Sequence, residues 1–227
     1  MSVPTKELQE KTTPRMALQM LREGNYRFIN NLKTNRNLMQ QVSELSNYQY
    51  PLVVILSCID SRTATQLVFD QGLGTIISVR VAGNVIGEDV LGSIEFGCKF
   101  AGAKLIVVMG HTKCGAIRRA CDDEKVGHLT KLLSKIKPAI EMESTTEENR
   151  TSRNFEFVDK VAEINVRQSL NTIITESDVL REMIEKGEVG IIGAIYETTK
   201  GNINFFENSY MCGETKPLPK LETTKTA

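Results

Sequence analysis

Residues 51–62 read Pro-Leu-Val-Val-Ile-Leu-Ser-Cys-Ile-Asp-Ser-Arg. The first seven, PLVVILS, form a short, continuously apolar, β-rich run. Two more runs of the same kind follow at 75–81 (TIISVRV) and 104–109 (KLIVVM). Strands that are apolar on both faces suit a parallel sheet covered by helices on each side. Helical stretches at about 64–69 and 90–100 separate the runs, so the order is βαβαβ.

The fold class expected is α/β: a mostly parallel central sheet flanked by helices, with an N-terminal helical arm and a C-terminal strand pair. The arm covers about 13–32, where Thr13 caps, Pro14 suits the first helical position, and Ala17, Leu21, Phe28 and Leu32 share a face. Helices are also expected over 114–121, 128–143 and 153–175. The last of these buries Val158, Ala162, Val166, Leu170 and Ile173. Ser177 caps a further helix ending near Gly187, and strands at 189–196 and 202–206 pair through a turn at Lys200-Gly201. The chain reads as a single domain over 1–227, with its core at about 50–206 and a loose polar tail over about 213–227.

Composition narrows the function. The 28 basic and 28 acidic side chains cancel, which argues against nucleic acid as a partner, since such a partner calls for a concentrated basic surface. The first thirty residues include Lys6, Glu7, Glu10, Lys11, Arg15, Arg22 and Glu23 and no continuous apolar run, so neither a signal peptide nor a membrane span is expected. The expected location is the cytoplasm. Thiols stay reduced there, and the five cysteines read as ligands or free thiols rather than disulfides.

The first strand ends in Cys58-Ile59-Asp60-Ser61-Arg62. Side chains two apart on an extended chain point the same way, so a thiolate and a carboxylate can face one point. The third strand ends in His111-Thr112-Lys113-Cys114-Gly115, where a His and a Cys three apart can converge as strand turns into helix. Ligands bind at the carboxyl ends of strands in open α/β sheets. Together these segments offer Cys58, Asp60, His111 and Cys114, and sulfur plus imidazole in a four-donor set selects zinc over calcium or magnesium.

These paired motifs, Cys58-x-Asp60-Ser61-Arg62 and His111-x-x-Cys114-Gly115, resemble the signature motifs of the β-class carbonic anhydrases. The resemblance continues through Arg80-Val81-Ala82-Gly83-Asn84, Gly92-Ser93-Ile94-Glu95-Phe96, Asn165-Val166 and Gly193-Ala194-Ile195-Tyr196, covering roughly 14–206. It implies one zinc per chain, with Cys58, His111 and Cys114 as permanent ligands. It also implies reversible hydration of carbon dioxide to bicarbonate by a zinc-bound hydroxide. Asp60 has two places: on the metal, closing the site, or off it, paired with Arg62, whose planar fork matches a carboxylate. The Asp60–Arg62 pair is expected to gate the fourth position.

The resemblance further assigns substrate contacts to Gln49, Ile77, Ala82 and Phe96. The Gly115 amide, at a helix start, is expected to support bicarbonate or the Cys114 thiolate. Some relatives carry a tryptophan where this chain has Ile55, as part of an inhibitory bicarbonate site with the arginine matching Arg80. Arg80 is therefore expected to be structural here. The family forms dimers and higher assemblies with active sites near the dimer interface, so a homodimer or homotetramer is expected. Hydrolysis of carbon disulfide or carbonyl sulfide is the alternative on the same scaffold. A non-catalytic zinc module is weighed below it, and a thiol redox role is disfavoured because no Cys-x-x-Cys occurs.

Overall fold

The computed structural model describes residues 3–213. The stretch 214–227, most of the tail expected from sequence, lies outside the described residues.

Three helices precede the sheet: α1 (Lys6–Lys11), α2 (Pro14–Ile29) and α3 (Leu38–Glu44). Each starts on a side-chain cap, with Thr5 accepting from Leu8 N–H, Thr13 from Met16 N–H and Asn37 from Gln40 N–H. Pro14 occupies the first turn of α2, where its missing N–H costs nothing. Ala17, Leu18 and Leu21 are buried against the sheet, whereas Leu32, expected on the same face, lies beyond the end of α2 and is exposed.

The strands are β1 (Val53–Ser57), β2 (Ile76–Arg80), β3 (Leu105–His111), β4 (Gly190–Tyr196) and β5 (Ile203–Phe205), in the order β2-β1-β3-β4-β5. The first four are mutually parallel and β5 runs antiparallel to β4. Between them come α4 (Thr65–Val68), α5 (Glu88–Glu95), α6 (Gly115–Cys121), α7 (Gly127–Ser134), α8 (Lys137–Met142), α9 (Phe155–Glu176) and α10 (Asp178–Glu185). Alternate residues of β1 divide between two cores. Val54, Leu56 and, one residue past the strand, Cys58 join the core with α5 and α9, whereas Val53 and Ile55 join that with α2 and Phe69. Truncating a side chain such as Ile55 to Ala would cost about 2–5 kcal/mol, the usual range for a buried aliphatic.

The helix expected over 128–143 is two helices. The chain breaks at Lys135 and Ile136, and Pro138 opens α8, because a proline ring clashes with the preceding turn inside a continuous helix. The helix expected to 100 narrows to Glu88–Glu95 and passes into a wider π turn over Phe96–Phe100. On α9, Asn154 caps by accepting from Phe157 N–H, and all five apolar residues read from sequence are buried. Ser177 caps α10 as expected, accepting from Leu180 N–H.

Candidate metal centre

The sheet order makes β1 and β3 neighbours. Register pairs Ser57 with Met109, so Cys58, one residue past β1, and His111, two beyond Met109, leave the same edge of the sheet side by side. Cys114 follows as the residue from which α6 departs, in extended geometry (φ −63°, ψ 123°). The donor atoms of Cys58, His111 and Cys114 all lie within 4.8 Å of one another, and all three residues are buried.

The two sulfurs are 3.9 Å apart, far beyond a disulfide bond, and both cysteines are free. Two thiolates bound to one tetrahedral zinc at about 2.3 Å each stand roughly 3.8 Å apart, so the spacing is that of ligands to one ion. The imidazole supplies the second sign. His111 Nδ1 lies 3.0 Å from the Thr112 carbonyl oxygen, which can only accept, so Nδ1 carries the proton and Nε2 the lone pair. Nε2 is buried without a hydrogen-bond partner. A buried lone pair facing two sulfurs and lacking a donor is what a Lewis acid would satisfy. The cluster is compatible with zinc.

The sulfurs titrate as a pair. Cys58 is held well below the ordinary thiol value, chiefly by the hydrogen bond from Cys114, against the opposing effect of burial and with the backbone near Asp60 and Gly83 adding to the lowering. Cys114 moves the other way, because it keeps the shared proton and is buried. Gly83 N–H reaches Cys58 Sγ at 3.4 Å from a tight turn over Ala82–Asn84, in which Gly83 has φ +67°. A β-carbon on Gly83 would meet Ile136 Cδ1 at 2.9 Å. Asn165 Nδ2 donates to the Gly83 carbonyl at 2.8 Å, which ties that turn to α9.

Asp60 stands off the cluster in the grip of Arg62. Arg62 Nε donates to Oδ1 at 2.9 Å, Nη2 to Oδ2 at 2.8 Å, and the Arg62 N–H to Oδ1 at 2.9 Å. Asp60 Oδ2 is 4.0 Å from His111 Nε2. The Arg62 hydrogen bonds carry the Asp60 carboxyl down to about 2, against partial burial. Arg80 braces the same loop, donating to the carbonyls of Cys58 (3.1 Å) and Asp60 (2.6 Å) and to Thr63 Oγ1 (3.3 Å).

Residues 53–203 match the family model described as carbonic anhydrase. The chain belongs to the β-class carbonic anhydrase family. Carbonic anhydrase 2 of Mycobacterium tuberculosis is 32% identical over 196 residues, covering 84% of this chain and 91% of that one. Among solved structures, a β-carbonic anhydrase of Aspergillus fumigatus aligns with TM-score 0.66 at 23% identity, covering 85% of this chain and 90% of that one. Tetrameric β-carbonic anhydrases of Sordaria macrospora align with TM-score 0.65 at 22% identity over 73% and 85% of the two chains. The chain is thus an enzyme of the carbonic anhydrase type.

The other sequence-derived positions of this carbonic anhydrase are spread more widely. Ile77 and Ala82 are half-buried beside β1 and the Gly83 turn. Gly115 is exposed, with open space where a side chain would stand. Gln49 is exposed ahead of β1, and Phe96 is 58% exposed with its ring against Phe100 at 5.9 Å. Among the described residues Gln49 makes no hydrogen bond to the cluster. Gly83 and Asn165 fall in stretches that carry the resemblance, but their roles here are not marked by any local pattern, because their partners, Cys58 Sγ and the Gly83 carbonyl, lie 25 and 82 positions away. No helix among the described residues is long and apolar enough to cross a membrane.

Proposed function

We propose that the chain, folded as one domain, catalyses the reversible hydration of carbon dioxide to bicarbonate and a proton, with one zinc held by Cys58, His111 and Cys114. The observation that carries the reading is the convergence of two buried sulfurs on an imidazole nitrogen that has a free lone pair and no protein donor. When bound, zinc supplies Lewis-acid activation of water near neutral pH. Two thiolates and a neutral imidazole would balance the charge of a bound divalent zinc and, as only three protein donors, would leave it room for solvent.

The chain's own residues do the rest. Arg62 holds Asp60 ionised and off the donor cluster. Held there, the carboxylate accepts a hydrogen bond and orients its donor. Released, it can swing toward the sulfurs and imidazole and close the site, so the pair is a gate. Half-buried Ile77 and Ala82 give an apolar wall suited to a small neutral gas. The exposed Gln49 amide and Gly115 N–H are donors for the oxygens of bicarbonate, and Phe96 completes the apolar side. The exposure of Gln49 and Phe96 suits a site finished by a second copy of the chain, in a homodimer or homotetramer. Free thiols at all five cysteines support a cytoplasmic setting.

Stopped-flow hydration of carbon dioxide tests this on zinc-loaded, chelator-stripped and reconstituted protein. Activity should vanish with the metal and return with zinc. Turnover that survives stripping, or a zinc-loaded enzyme inert toward carbon dioxide but active on carbonyl sulfide, would overturn it.

A further inference from the structure

Between His111 and Cys114 the chain must reverse from β3 into α6 within two residues, and Lys113 makes that reversal in the left-handed region at φ +55°. Side-chain-bearing residues reach that region only against steric resistance, so something must hold Lys113 there. Its N–H donates to Asp159 Oδ1 at 2.7 Å, across 46 residues of sequence. Asp159 lies on α9, whose neighbouring Phe157, Val158, Val161 and Ala162 are fully or almost fully buried, so the acceptor stands on a fixed platform. On the sheet side, Thr112 N–H donates to the Tyr196 carbonyl at 3.0 Å, and Thr198 N–H donates to Thr112 Oγ1 at 3.0 Å. The ligand turn is therefore clamped between α9 and the end of β4.

We propose that Asp159 is a positioning residue of the metal centre: by accepting the Lys113 N–H it holds the left-handed link that brings His111 and Cys114 to one point. The inference rests on the zinc reading of Cys58, His111 and Cys114. The group that Asp159 hydrogen-bonds at the turn is the backbone N–H of Lys113. The Lys113 ammonium lies 5.8 Å over the Phe155 ring. Burial pushes the Asp159 carboxyl up, and the Lys113 backbone N–H is foremost among the groups opposing it. This places the carboxylate's main partner at the turn.

The prediction separates an acceptor from a charge and from bulk stability. Zinc release to a chelator should run about 10–100-fold faster in Asp159→Ala than in the unaltered protein, the usual scale for groups that orient a metal ligand. Asp159→Asn keeps an oxygen acceptor and should stay within a few-fold. Lys113→Gly added to Asp159→Ala should recover most of the loss, because glycine needs no clamp at positive φ. Cobalt-substituted protein should show altered visible bands in Asp159→Ala alone. Should Asp159→Ala fail to fold, amide exchange of Lys113 in the unaltered protein decides: strong protection is expected, and rapid exchange overturns the inference. Equal zinc release and an unchanged cobalt spectrum in Asp159→Ala also overturn it while leaving the zinc reading standing. Unaltered protein that binds no zinc overturns both.

Discussion

Arg62 meets Asp60 with both prongs of its guanidinium, Nε on Oδ1 and Nη2 on Oδ2, while that same Oδ2 is 4.0 Å from His111 Nε2. A carboxylate so near the cluster yet turned from it is held by a partner rather than by distance. Arg62→Ala should therefore keep its zinc but lose about 10–100-fold in hydration rate as Asp60 swings inward, following the usual cost of removing an outer-shell partner. Arg62→Lys keeps the charge without the fork and should fall between the two. Metal content and stopped-flow rates measured on the same samples check this, and an unchanged rate in Arg62→Ala would refute the gate.

The Gly83 turn offers a test on stability. Asn165→Ala removes the donor to the Gly83 carbonyl and leaves a buried acceptor unpaired, which should lower unfolding free energy by about 1–3 kcal/mol. Gly83→Ala should cost more. It adds the left-handed penalty, roughly 1–2 kcal/mol, to a close approach by Ile136. Urea denaturation of the metal-loaded proteins gives both numbers, and a neutral Gly83→Ala would contradict the described geometry.

Asp70 fixes the pH dependence expected of the fold. It is buried and accepts from Arg36 Nη1 (2.5 Å), Arg27 Nε (2.6 Å) and Thr34 Oγ1 (3.0 Å), tying α2 and the segment after it to the loop after α4. Burial pushes its carboxyl up, but the hydrogen bonds from Arg36, Arg27 and Thr34 outweigh this and bring it down to about 2. A depressed carboxylate contributes stability that is full above its unfolded value near 3.8 and lost as pH falls toward about 2. Asp70→Asn should therefore cost roughly 2 kcal/mol at neutral pH, and its gap from the unaltered chain should close between about pH 4 and pH 2. Urea midpoints across that range check the sign, and a gap that widens toward acid would contradict it.

Legibility in the sequence followed the range of each interaction. The apolar runs of β1 and β3, the face of α9 and the cluster-bearing strand ends are readable because their signals lie within a few residues, whereas β2, expected to be apolar on both faces, is an edge strand with Ser78 and Arg80 exposed. The short helices α1 and α3 were not read. They bury one residue each, Gln9 and Gln41, so their apolar periodicity is slight and side-chain caps mark their starts. The break before Pro138 shows one proline prevailing over a helical apolar pattern. The contact of Asn165, a residue that the resemblance includes, and Asp159 altogether are not legible in the sequence, because their partners are backbone groups 82 and 46 positions away that only the fold brings near.

Hydration of carbon dioxide by this chain requires two sulfurs and one imidazole nitrogen to meet at a single ion. Zinc K-edge X-ray absorption on the purified, zinc-replete protein measures that donor set directly. The expected result is two sulfurs at about 2.3 Å and two lighter atoms at about 2.0–2.2 Å. A shell with no sulfur, or with four, would contradict it.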